Sequence, residues 1–276
     1  MDDKGADTPM IKQLVAVRRK AGMTREEFLN YHYQVHGSLS TGPSPSETPL
    51  KYFQTHFVDT AYHADTSQKV PNAHPAWAFS DDITELYFHS MDHMSQVFTS
   101  EWVTQKVGPD GANFSDFSAV LPMLVQEETV QLSDSCASTP PTGKYEEHAF
   151  VAMYFVAPRD PIEAGVLTSK LTSAIQSHAA ADVLKLVANT PIEIGFDIGA
   201  YFGVGRPIPR YHVFTITLRG KTSICSLRKV QAIFEEECAD LLNLPETWIG
   251  FGERAVVLDQ TEDIKFDPRR QPYQTL

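Results

Sequence analysis

The chain has 276 residues, 42% of them hydrophobic and 21% charged, which is enough to bury a core and excludes a disordered protein. Its 23 basic and 35 acidic residues leave a net charge of −12, against a protein that tracks nucleic-acid phosphates with clustered Lys and Arg. No apolar run approaches the roughly 20 residues that span a bilayer, and the polar start MDDKGADTPM reads as neither secretory signal nor transit peptide. Cys136, Cys225 and Cys238 form neither a disulfide framework nor a CxxC knuckle, so the expectation is a cytoplasmic globular protein without a nucleic-acid or membrane partner.

Residues 11–17 (IKQLVAV) predict a strand. Thr24 with Glu27 three positions on is a capping-box pattern that opens a helix, carried by Phe28, Tyr31, His32, Val35 and Leu39 at helical spacing. The Pro- and Ser-rich stretch 40–49 is a loop, and 50–58 and 82–89 are strands. A helix over 91–106 and a strand over 118–126, with Pro122 at an edge or bulge, complete the first half. Residues 131–145 read as a Ser/Thr/Pro-rich linker. The order then repeats: a strand over 149–157, a helix opened by Asp160-Pro161 and running to His178, strands over 183–188 and 211–218, a helix over 223–242 and a strand over 253–259.

Two β-α-β-β-α-β units predict an α+β protein: two ferredoxin-like modules, over 10–130 and 146–260, followed by a tail over 261–276. Each module leaves one sheet face bare, so the chain is expected to form an intramolecular, pseudo-dimeric α/β barrel with a ligand cavity between the two sheets. The tail has no periodicity and is a candidate strap over the opposite half.

The stretch IKQLVAVRRKAGMTREEFLNYHYQVHGSLS resembles the start of EthD-domain proteins: a strand, a basic-Gly-Met-Thr turn, "EEF", then an aromatic-rich helix ending in His-Gly. Residues 81–90 and 104–117 are similar to later segments of that family, and the likeness is nearest to its members in fungal secondary metabolism. The resemblance implies a dimeric α/β barrel, no obligatory cofactor and, for some relatives, aromatic polyketide substrates and decarboxylation. The second half lacks the YxxxHG ending, with Ser177-His178-Ala179 as its nearest echo, which points to one site per chain.

Seven of the ten histidines lie in the first half, and histidine titrates near neutrality, so proton transfer is the chemistry they suit. His36 matches the family's histidine, and a helix C-terminus would favour its imidazolium by up to about 2 kcal/mol. His32 stands four residues before it, on the same helix face, with the spacing of a metal-ligand pair; no third ligand is pinned by the sequence, and packing is the plainer role. Counting parity along each strand places Tyr52 and His56 on one face and Glu85, Tyr87 and His89 on one face; Leu86 and Phe88 fall on the helix-covered side. All five polar residues are therefore expected to line the barrel interior. His74 and Trp77, in the long loop before residue 82, are candidates to close one mouth, and Tyr31 to touch substrate. The loop GAYFGVGRP over 199–207 does not fit a nucleotide-binding motif, and Arg206 and Arg210 read as structural.

The resulting expectation is a cofactor-free lyase acting on a polyketide-derived phenolic small molecule, by decarboxylation, dehydration or cyclisation. His36, His56, Glu85 and Tyr52 are its expected catalytic residues, Tyr87, His89, Trp77, His74 and Tyr31 bind substrate, and no metal takes part. A cofactor-independent monooxygenase of an anthrone-type molecule, a pericyclase and a non-catalytic ligand carrier are the alternatives, and a homodimer of the fused pseudo-dimer is the expected protein partnership.

Overall fold

A computed structural model of the chain describes residues 10–132, 148–193 and 195–272. Most of the predicted linker, with Cys136, lies outside the described residues, as do the first nine positions and the last four. The first half runs β1 (Ile11–Val17), α1 (Arg25–Asn30), β2 (Lys51–Tyr62), β3 (Asp82–Phe88), α2 (Met91–Thr99) and β4 (Leu121–Val130). The second runs β5 (Phe150–Val156), α3 (Ala164–His178), β6 (Val183–Pro191), β7 (His212–Leu218), α4 (Ile224–Glu237) and β8 (Trp248–Asp259). The Thr24–Glu27 capping box forms as its spacing predicts, with Glu27 N–H donating to Thr24 and Thr24 N–H to Glu27. The second half's first helix instead starts after Glu163, so Asp160 and Pro161 lie ahead of it.

All eight strands close into one antiparallel barrel, in the order β1-β3-β2-β8-β5-β7-β6-β4. Within each half the fourth strand lies beside the first, the first beside the third and the third beside the second. The halves join through β2 with β8 and β4 with β6, so neither sheet keeps a free edge. At the β2–β8 seam, Gly252 passes so close to β2 that a Cβ there would collide with the His56 carbonyl.

Parity divides the side chains between the inside of the barrel and its helix-covered outside. Leu14, Met123, Met153, Phe155, Val213 and Trp248, drawn from both halves, form one buried cluster inside. An eight-stranded barrel is just wide enough for side chains to fill it, and these do. The expected ligand cavity between two facing sheets is thus reduced to an opening of about 210 Å³ at one mouth of the barrel. Outside, α3 and α4 pack onto the second half through Leu167, Leu171, Leu227, Val230 and Phe234. Cys238 joins that cluster, whereas Cys225 is exposed. The segment after β8 crosses to the first half: the Tyr33 hydroxyl donates to the Asp267 carbonyl at 3.0 Å, and the Gln34 amide to the Pro268 carbonyl at 2.9 Å. Among the described residues no helix is long and apolar enough to cross a membrane.

Gly252→Ala is expected to lower stability by at least about 1–3 kcal/mol, because backbone rather than a side-chain tip must yield; the midpoint of a urea titration checks it.

Candidate active site

The β2–β3 register decides where the polar residues go. Tyr52 lies opposite Leu86, Phe53 opposite Glu85 and His56 opposite Asp82, and residues directly opposite share a face. Tyr52, Gln54 and His56 therefore lie under the helices, while Glu85 and Tyr87 point into the barrel. The five residues expected on one face are split between the two sides of the sheet.

Glu85 is held inside by Lys12 at 2.8 Å and Arg254 at 2.6 Å, all three buried. Burial would raise its carboxyl, but the two cations outweigh that and hold it below its ordinary range. The Tyr87 hydroxyl donates to Glu127 at 3.0 Å in the same charged cluster, beside an opening of about 210 Å³ at that mouth of the barrel. These residues are structural charge pairs, away from the helix-side cavity described below. His89 is exposed, its ring against His93. His74 packs between Tyr62 and Phe79 in the loop. Trp77 belongs to the barrel-filling cluster and donates its indole N–H to the Tyr211 hydroxyl at 2.7 Å. None of these three reaches the site.

A cavity of about 690 Å³ opens on the other side of the first half's sheet, between it and the helical segments. Its walls are mostly apolar, with Val15, Leu86, Val97, Phe98, Val103 and Phe114 among them. His32, His36, Tyr52, Thr84 and Gln13 supply its polar groups. Two helical segments on its border are wound as π-helix, Tyr31–Gly37 and Val103–Val107, a rare geometry that recurs at functional sites. The first carries both histidines on one side, with their rings 5.5 Å apart and Phe114 against each.

Each histidine has its own carboxylate. His36 Nδ1 lies 2.9 Å from Asp110 Oδ2, and the same carboxylate accepts from the Tyr31 hydroxyl at 2.7 Å and the Asn113 amide at 3.0 Å. The hydrogen bond from His36, joined by those of Tyr31 and Asn113, holds Asp110 down to about 2, so it is an acceptor throughout the physiological range. That fixes the proton of His36 on Nδ1 and leaves Nε2 as a lone pair. Burial pushes the His36 imidazole below its ordinary value despite Asp110, so it is a neutral base. The imidazolium expected from the helix C-terminus loses to desolvation.

His32 Nδ1 lies 2.5 Å from Asp82 Oδ2, in full burial. Burial raises Asp82 well above the carboxylate range and holds His32 down to about 3, so the pair is neutral overall with the carboxyl proton in the short bond. His32 Nε2–H then faces the Tyr52 oxygen at 3.2 Å and the Thr84 oxygen at 3.4 Å. Tyr52 also accepts from the Gln54 amide at 2.6 Å, so its own O–H is left as a donor, with the Thr84 side chain in reach and the cavity alongside. Burial keeps that phenol protonated by raising it far above its ordinary value. His56 lies beneath this layer: its Nε2 donates to Gln54 Oε1 at 2.9 Å, its ring is fully buried and neutral, and it does not line the cavity. It positions Gln54, in place of the expected catalytic role.

Residues 20–118 match the family model of the EthD domain. The match falls within the first half of the barrel. The matched stretch holds both histidines, both carboxylates and Tyr52. No curated protein matches the sequence. Among solved structures, an anthrone oxidase-like protein matches at 7% identity over 92% of this chain and 95% of its own, with a TM-score of 0.55. That likeness shows a shared fold. A candidate monooxygenase from Lactobacillus acidophilus NCFM matches at 9% identity over 91% and 97%, with a TM-score of 0.47.

The sequence pointed to His36, Tyr52 and Tyr31, which the structure places in or beside one cavity. It missed Asp110 and Asp82 as partners. Asp110 lay within the EthD-like stretch 104–117, the one signal that could have marked it.

Glu85→Ala leaves Lys12 and Arg254 without their shared carboxylate inside the barrel. The expected cost is about 3 kcal/mol in urea unfolding, while ligand uptake by the folded variant stays as in the unmodified chain.

Proposed function

We propose that the protein is an acid–base enzyme, a lyase that acts on a phenolic, polyketide-derived small molecule in the EthD-side cavity. The observation that carries this reading is a neutral imidazole with a free Nε2 at His36, lining the same mostly apolar cavity as the Tyr52 phenol. A base and a donor together suit removal of a proton next to a carbonyl. His36 Nε2 takes the carbon-bound proton. Tyr52 O–H, backed by His32 and Gln54, donates to the oxyanion that forms, and such a donor is worth most where water is excluded. In a dehydration the His36 imidazolium then gives its proton to the departing hydroxyl, so that substrate becomes product plus water. In a decarboxylation the carboxylate leaves as CO₂, and His36, protonated beforehand from solvent, protonates the carbanion. The ferredoxin-like identity of each half belongs to the same reading, supported by its strand order and its strand–helix order, and so does a place in secondary metabolism.

A second reading has one observation in its favour, the fold shared with an anthrone oxidase-like protein at a TM-score of 0.55. The same base would make an anthrone carbanion, which O₂ converts to the anthraquinone with release of one water. Incubation with anthrone in an oxygen electrode and with ortho-hydroxybenzoic acids under CO₂ detection separates the two. Turnover on the second class supports the lyase, oxygen uptake with anthrone replaces it by the oxygenase, and binding without turnover in either makes the chain a carrier.

With a substrate that loses water, kcat/KM is expected to rise with pH and level off, because the base works only when neutral; with one that loses CO₂ it is expected to fall as pH rises through the same midpoint, because His36 must then carry the proton it delivers. Burial lowers the His36 pKa, so the midpoint falls below the ordinary histidine value of about 6.5. His36→Asn is expected to lower kcat by about 10²–10⁴ and to abolish that limb. Tyr52→Phe, which keeps the ring and loses the donor, is expected to lower kcat by about 10²–10³ with the limb retained.

A further inference from the structure

Every cavity-lining residue numbered up to 120 comes from the first half; the second half adds Tyr201, Phe202 and Gly203. They sit in the β6–β7 connection, in the stretch GAYFGVGRP. The two aromatic residues reach opposite walls. Tyr201 stacks, with ring centres 4.5 Å apart and planes 13° from parallel, on Phe98, which belongs to the α2-side cluster with Phe88, Met94 and Val97. Phe202 packs on the α1-side cluster of Phe28, Leu29 and Phe114, the group that also backs His32 and His36. Consecutive residues of one half thus bridge the two sides of a cavity built by the other.

The bridge is fixed at both ends. Asp197 accepts from Ala200 N–H at 2.9 Å and starts the turn Ile198–Tyr201. Gly203, at φ +66°, takes the left-handed conformation that turns the chain after Phe202. Arg206 donates to the Val120 carbonyl at 2.9 Å and lies 3.9 Å over the Trp77 ring. Tyr201 itself is 40% exposed, so its ring covers the cavity rather than supporting the core.

We infer that Tyr201 and Phe202 are specificity-determining residues, and that they select a flat phenol of several fused rings. Phe98, Tyr201 and Phe114 all line the cavity, and their aromatic rings suit the faces of such a molecule. At about 690 Å³ the cavity has room for more than one ring. The second half, whose own helix-side face is filled, serves the site of the first as its cover. This inference takes the cavity of the proposed function as its site.

The test is ligand binding to the full chain carrying His36→Asn, so that no turnover is needed. The probes are 1,8-dihydroxyanthraquinone, with three fused rings, and resorcinol, with one, followed by fluorescence and calorimetry. Tyr201→Ala with Phe202→Ala is expected to raise Kd for the three-ring probe at least tenfold and to change that for resorcinol less than twofold. Tyr201→Leu, which keeps bulk and solubility without a ring, is expected to weaken the three-ring probe alone. Equal loss for both probes, no loss for either, or no binding of the three-ring probe to the chain with both aromatics in place overturns the inference. A chain that binds as expected but shows no turnover in the unmodified form overturns the acid–base reading and leaves this one standing.

Discussion

An eight-stranded barrel has room inside for its own side chains or for one small ligand, and here side chains take most of it. That constraint governs the molecule. With Leu14, Met153, Phe155 and Trp248 filling most of the interior, the roomier cavity lies outside the sheet, beneath the helices. Each half offers such a face. The second closes its face with leucine and phenylalanine from α3 and α4. The first keeps its face open, because its border segments widen into π-helix and its strands carry Tyr52 and Thr84 where the second half carries apolar core.

The same constraint separates two kinds of charge. Inside the barrel, Lys12 and Arg254 share Glu85 and Lys12 also meets Glu127, so two cations face two carboxylates at hydrogen-bond distance. Under the helices, His32 and Asp82 avoid charge by sharing a proton, while Asp110 stays ionised because three donors meet it. A neutral base in the same cavity as a protected donor follows from burial and hydrogen-bond count.

The order of elements was legible in the sequence because it rests on local periodicity and on caps such as Thr24–Glu27. The likeness to EthD proteins over the first half was legible in local motifs as well. The faces were not. Parity along one strand says which residues share a side, but which side of the next strand they match depends on register, a property of two segments about 30 residues apart. A single shift in that pairing moved Glu85 and Tyr87 away from Tyr52 and into the barrel. The partners of the histidines were hidden for a related reason: His32 and Asp82 are 50 positions apart, and His36 and Asp110 are 74. The role of residues 201–203 was invisible for want of any motif, since a covering loop needs only bulk, aromatic faces and a glycine at the right turn.

The central claim is that His36 is a neutral base with its proton on Nδ1. Nitrogen-15 NMR of the histidine side chains across a pH titration tests it most directly. The account predicts an Nδ1–H tautomer at His36, titrating below 6.5, and no protonation of His32 to imidazolium down to the acid limit of folding. An Nε2–H tautomer at His36, or a His36 that stays cationic above pH 7, would contradict it.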